Sequence, residues 1–140
     1  MIKELNKKYL NDIIKLHKRA MIPLWRKLKK TYSSQRVGRY VSDTLRKGKV
    51  FGYFLDGKLI GCAGIAIDKK LGAGEIRHVS VEPKFQKRGI GRKLMNFLEK
   101  YAKRKVKKIS LDVLIKSPAV KFYEKLGWKK HAYVMRKYLR

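Results

Sequence analysis

Along this chain the spacing of apolar residues switches period several times, and each switch marks an element. Ile2 to Leu5 reads as a short strand, and Leu10, Ile13, Ile14, His17 and Met21 then recur at helical spacing. Trp25 and Leu28 carry that region past Pro23. A second helix starts from Ser33 or Ser34 as N-cap, sets Val37, Tyr40, Val41, Thr44 and Leu45 on one stripe, and ends near Gly48. Two strands, Val50 to Leu55 and Lys58 to Ile67, flank Asp56-Gly57, a strong two-residue hairpin signal. Another strand runs from about Gly74 to Val81, stopped by Pro83. Ile90, Leu94, Phe97, Leu98 and Tyr101 define a third helix, and Ile109 to Ile115 a further strand. Ser117-Pro118 caps a last helix with Ala119, Phe122, Tyr123 and Leu126 as its buried stripe and Gly127 as its end. The remainder, Trp128 to Leu139, alternates as a final strand would. The predicted order is strand, two helices, three strands, helix, strand, helix, strand, an α/β (α+β mixed sheet) arrangement.

With 140 residues and 44% hydrophobic content, the chain suits one compact domain, 1–140, with a real core. The longest apolar run, Leu59 to Ile67, is strand-sized and interrupted by Gly61 and Gly64, so it cannot span a bilayer. Met1-Ile2-Lys3-Glu4 lacks the apolar core of a signal peptide. Cys62 is the sole cysteine, and no Cys/His cluster has metal spacing. These features predict a cytoplasmic, metal-free protein. Charge changes the picture more: 38 Lys and Arg against 10 Asp and Glu give +28, a field that attracts polyanions, including nonspecific binding of nucleic acid. A lysine-rich but merely solvated surface would give the same composition.

Candidate chemistry concentrates at Gln86-Lys87-Arg88-Gly89-Ile90-Gly91, between a strand and an amphipathic helix. Two glycines let the backbone approach a ligand, and the unpaired N–H groups of a helix's first turn point at any anion there. Lys87, Arg88, Arg92 and Lys93 add charge. A tight turn that packs helix against strand explains two glycines equally well. The run is neither a Walker A loop nor the three-glycine dinucleotide fingerprint.

In spacing and setting the run resembles the acyl-CoA loop of the Gcn5-related N-acetyltransferase (GNAT) family, written Gln/Arg-x-x-Gly-x-Gly/Ala. Gln86, Gly89 and Gly91 fill its defining positions. Ala119, Tyr123, Gly127 and Trp128 are similar to the family's second signature, although Lys116 stands where asparagine is often found. The element order also matches the acyl-CoA N-acyltransferase fold, so the resemblance spans nearly the whole chain. It implies an acetyl-CoA-dependent N-acetyltransferase in which two parallel strands splay and the pantetheine arm lies in the gap. The backbone of Val79, Ser80 and Val81 would then bind pantetheine, an N–H near Val81 would polarise the thioester carbonyl, and Gln86 through Gly91 with Arg92 and Lys93 would hold the pyrophosphate.

Acyl transfer to an alkyl amine, whose pKa is near ~10, needs a proton acceptor. Glu75, eleven residues before Gln86, is the candidate base, directly or through water, with pairing to a cation as its structural alternative. Plain alternation sets Glu75 on the face of Val79 and Val81, a relation that one bulge would reverse. His78 could substitute as base. Tyr123 resembles the family's tyrosine acid; by periodicity alone it is a core aromatic. His17 reads as a core-edge residue and Cys62 as a small buried one.

The family's acceptor side is shaped by the first two helices and the last strands. Here the two helices and their connection carry Lys15, Lys18, Arg19, Arg26, Lys27, Lys29, Lys30, Arg36 and Arg39. Such a rim disfavours polycationic acceptors and favours a protein N-terminus or lysine within negative charge, on a ribosome- or nucleic-acid-associated target. The rival reading is a basic nucleic-acid-binding module with the same fold and little catalysis, for which Tyr32 and Tyr40 supply aromatic faces but no recognised motif exists.

Overall fold

A computed structural model describes residues 1–140. Its centre is a five-stranded sheet in which β1 (Ile2–Leu5), β2 (Gly48–Leu55), β3 (Lys58–Asp68), β4 (Ala73–Val81) and β5 (Lys108–Ser110) lie in sequence order. Neighbours are antiparallel except β4 and β5, which are parallel. Helices α1 (Leu10–Lys27) and α2 (Ser34–Lys47) cover one face, where Ile13, Leu16, Val37 and Val41 pack on Leu5, Val50 and Cys62. Helix α3 (Ile90–Lys103) covers the other with Ile90, Leu94, Met95, Leu98 and Ala102, and α4 (Ala119–Lys125) adds Phe122 and Tyr123 at that cluster's edge.

Local signals read from the sequence explain the joints. The Ser33 hydroxyl accepts the Arg36 N–H at 3.2 Å and caps α2. Asp56 and Gly57 both take positive φ, 49° and 75°, as a tight hairpin turn matching strand twist requires.

Two expectations fail at the far edge of the sheet. The strand expected over Ile109 to Ile115 pairs with β4 only from Lys108 to Ser110. The strand expected over Trp128 to Leu139 does not form, and Tyr133 and Met135 are 87% and 90% exposed. A common cause lies in β4. Opposite the β3 stretch Cys62 to Gly64, β4 holds an extra residue at His78, whose φ is 59°. A bulge strengthens local twist and turns β4 away from its parallel neighbour, so the ladder ends, and β5, only three residues long, gives the tail little strand to extend.

Candidate functional site

The bulge also decides which side chains share a face. Glu75 meets Tyr40 of α2, Arg77 meets Asp43 and Thr44 of α2, and His78 meets Thr44. Val79 and Val81 pack toward the α3 cluster instead. Plain alternation put Glu75 with Val79 and Val81; the inserted residue reverses that, and Glu75, Arg77 and His78 all face the α1–α2 side.

Past Glu75, β4 has no partner on its β5 side. Residues Ile76 to Val81 therefore offer a free strand edge, which an extended ligand can pair with. At the end of that edge the Gln86 side-chain amide donates to the Val81 carbonyl at 3.0 Å and ties the glycine loop to the strand. Gly89 precedes α3 with φ of 84°, and no side chain caps the helix. Its first bond runs from the Lys93 N–H to the Gly89 carbonyl, leaving the preceding amides unpartnered.

The two glycines do different work. A Cβ on Gly89 would meet nothing within 4 Å, so space there is open to a ligand and the positive φ is what demands glycine. A Cβ on Gly91 would lie 3.1 Å from Phe122 Cζ and 3.8 Å from Val81, so this glycine brings α3, α4 and the end of β4 together. That close approach sets Tyr123, one residue past Phe122, beside the loop's helix. The Tyr123 ring packs 5.1 Å from Phe122 and 6.2 Å from Trp128, and burial pushes its phenol up to about 12. The free edge, the uncapped α3 terminus and the open space at Gly89 suit a phosphate-bearing chain with an extended polar arm.

On the α1–α2 side the polar groups form one network. Arg77 donates to Glu75, to Asp43 at 3.0 Å and to Thr44 at 3.2 Å, and its guanidinium lies 4.4 Å from the Tyr40 ring centre. Tyr40 donates its hydroxyl to Glu75 at 2.9 Å. Burial alone would raise the Glu75 carboxyl, but hydrogen bonds from Arg77 and Tyr40 outweigh it and hold the group below its usual range. Because four groups depend on Arg77, Arg77→Ala should destabilise the fold by about 2–4 kcal/mol in urea unfolding. Arg77→Lys should recover little of this, since one ammonium cannot reproduce the planar fork.

Thr44 fixes the tautomer of His78. Its hydroxyl hydrogen goes to the Tyr40 carbonyl at 3.0 Å, so it can only accept from His78 Nε2 at 2.9 Å. That assignment leaves Nδ1 as the ring's lone pair. Burial, then the charges of His17 and Arg77, push His78 down to about 3, which makes it a poor proton acceptor beside Glu75. His17, whose ring centre is 6.2 Å from that of His78, is pushed to about 4 by burial and shares a hydrogen bond with the Tyr32 hydroxyl at 2.9 Å.

Both histidines are thus neutral when folded, while the unfolded chain protonates them near 6.5. Stability should fall as pH drops from about 6.5 toward 4, with a slope approaching about 1.4 kcal/mol per pH unit for each histidine. Urea midpoints at pH 7 and pH 5 measure this, and His17→Gln should flatten the profile. Equal midpoints in the parent protein would mean that these rings are not buried.

Sequence reasoning missed Arg77, Asp43 and Asp112. Asp112 follows Ile109 and Leu111, both packed on the α3 side, so alternation sets it on the opposite face. There its charge contributes to holding the Tyr40 phenol up at about 12, behind burial and Glu75. An acid inside the alternating run Ile109-Ser110-Leu111-Asp112-Val113 was the available signal. Cys62 is buried, its thiol pushed up to about 12, with Sγ donating to the His78 carbonyl. No helix is long and apolar enough to cross a membrane.

Known proteins share both sequence and architecture with this chain. It is 30% identical over 139 residues to an uncharacterized N-acetyltransferase of Methanocaldococcus jannaschii, covering 91% of this chain and 60% of that protein. To the N-terminal acetyltransferase B complex catalytic subunit NAA20 of Arabidopsis thaliana it is 34% identical over 83 residues, covering 54% of this chain and 48% of that one. The chain thus spans about half to three fifths of the length of these relatives. Among solved structures, the ribosomal-protein-S18-alanine N-acetyltransferase from Escherichia coli superposes with a TM-score of 0.78 at 22% identity, over 94% of this chain and 79% of that one, a likeness of fold. The acetyltransferase (GNAT) family model matches residues 10–128, and the chain belongs to that family.

Proposed function

We propose that the protein is an N-acetyltransferase that moves an acetyl group from acetyl-CoA to a primary amine by direct attack on the thioester, acting as one domain over 1–140, with a protein N-terminus or lysine as acceptor. The observation that carries this reading is the free edge of β4 from Ile76 to Val81, whose end meets the uncapped start of α3 and the Phe122–Tyr123 helix at Gly91. Acetyl-CoA supplies an activated acyl group. The backbone of Val79, Ser80 and Val81 is the edge its arm would pair with, and Gln86, Lys87, Arg88, Gly89, Ile90, Gly91, Arg92 and Lys93 surround the place for its pyrophosphate.

Glu75 is the acceptor-side base. It stays ionised at neutral pH, is partly exposed, and faces the α1–α2 side with Tyr40, so an incoming ammonium meets a carboxylate directly or through water. Tyr123 keeps its proton at neutral pH and donates to sulfur as thiolate charge develops. Acceptors with an α-amino group accord with the functions named for the Arabidopsis and Escherichia coli proteins, and the basic rim disfavours polycations.

The experiment is thiol release with acetyl-CoA and a panel of peptides, polyamines and aminoglycosides. Turnover is expected on peptides with free N-termini or lysines and acidic neighbours, and Glu75→Gln should lower kcat/KM by about 10- to 100-fold at pH 7. Preference for polyamines would overturn the acceptor assignment, and absence of saturable acetyl-CoA binding would overturn the activity.

A further inference from the structure

The extra residue at the bulge of β4 is His78, and its ring is held edge-on between the sheet and the two helices on that face. Nε2 bonds the Thr44 hydroxyl at 2.9 Å, and a Cβ on Gly64 of β3 would lie 3.4 Å from Cδ2, so the edge carrying these two atoms looks inward. The ring centres of Tyr40 and His17 stand 4.8 and 6.2 Å away. Nδ1 lies on the opposite edge. It is a lone pair, because Thr44 gives its own hydrogen to the Tyr40 carbonyl and must accept from Nε2.

Nδ1 makes no hydrogen bond within the protein, yet it is not sealed off. Trp128 Nε1 is the one buried side-chain nitrogen or oxygen that lacks a partner. Nδ1 therefore keeps contact with solvent, although the ring as a whole is only 7% exposed. A lone pair left open on an otherwise buried ring is an acceptor for a donor from outside. Bulges re-aim side chains beside active sites, and this one turns His78 toward the groups that hold Glu75. Tyr40 donates to Glu75 while its ring contacts His78, and Arg77 bonds both Glu75 and the Thr44 hydroxyl that receives Nε2.

We infer that Nδ1 of His78 accepts a hydrogen bond from the acceptor nitrogen and thereby selects primary amines over secondary ones. The inference rests on the acetyl-transfer reading with Glu75 as base, and names the class of acceptor within it. Glu75 takes one proton when ammonium becomes amine, passes it to solvent, and takes a second once the new C–N bond makes the nitrogen positive. The C–S bond breaks with its electron pair on sulfur, which Tyr123 protonates before recovering a proton from solvent. One hydrogen stays on nitrogen in the product amide. That N–H becomes a stronger donor as the nitrogen gains charge, and His78 gives it a fixed acceptor away from water. Burial keeps the imidazole neutral, which suits it to hold this hydrogen and not to remove it. An N-methyl amine carries only the hydrogen that Glu75 must take, so its bond to His78 is lost.

Thiol release is measured on the peptide that turns over best and on the same peptide N-methylated at the reacting nitrogen, with the parent and with His78→Phe. Phenylalanine keeps a ring in place and leaves Thr44 bonded to Arg77 and to the Tyr40 carbonyl. The parent should prefer the primary amine by at least about tenfold in kcat/KM. His78→Phe should lose about 10- to 100-fold on the primary amine and less than about threefold on the methylated one, with acetyl-CoA affinity unchanged. Equal losses on both acceptors would make His78 a packing residue and overturn the assignment. Should the variant melt below the assay temperature, the parent decides alone: a preference of about tenfold or more upholds the inference and a smaller one overturns it. No thiol release from any amine would instead overturn the acetyl-transfer reading, and this inference with it.

Discussion

Tyr123→Phe should lower kcat by about 10²- to 10³-fold at saturating acetyl-CoA, the range for loss of a positioned acid. Its hydroxyl makes no hydrogen bond within the protein, so removal orphans no partner, and the thermal midpoint should stay within a few degrees of the parent. A phenol raised to about 12 remains protonated across the working range. The parent should therefore show no loss of rate from Tyr123 ionisation up to about pH 10, while the variant is slow at every pH. Unchanged turnover with normal acetyl-CoA binding would leave the ring as a packing residue only.

The second large effect concerns Gly89. Gly89→Val places a β-branched residue at φ of 84°, a conformation costing about 1–3 kcal/mol, and projects methyl groups into space that the folded chain leaves open. The thermal midpoint should drop modestly, but the dissociation constant for acetyl-CoA should rise at least about tenfold, because the backbone amides after Gly89 can no longer be approached closely. Gly91→Ala is the contrasting variant. Its Cβ meets Phe122 at 3.1 Å, so the protein should lose stability with a smaller change in affinity once folded. Calorimetric binding and thermal melts on both variants separate the two roles. If Gly89→Val bound acetyl-CoA as the parent does, the loop would be a turn and nothing more.

The contrast between these glycines shows how far sequence reasoning reaches. Spacing located the loop, its helix and the strand before it, because glycines and apolar stripes are local signals that the backbone must obey. Spacing could not say that one glycine serves conformation and the other packing, since that depends on where Phe122 of a later helix arrives. The same limit applied to Glu75. A single extra residue at His78 exchanged the faces of β4, and no local pattern in Ile76-Arg77-His78-Val79 announced it. Arg77, Asp43, Thr44 and Tyr40 meet through strand-to-helix packing more than 30 residues apart, so their network follows only from the fold. The terminal alternation failed for the opposite reason: the pattern suits a strand, but β5, the strand before it in the chain, is only three residues long and gives it little to extend.

An unclaimed strand margin from Ile76 to Val81 invites like segments of other copies to zip onto it whenever nothing else lies there. Mutual repulsion between molecules of +28 keeps such encounters rare in dilute buffer. Raising ionic strength removes that protection by shortening the reach of charge to about 3 Å at 1 M. The ligand-free protein should then self-associate in brine, and filling the cleft with coenzyme A should keep it dispersed.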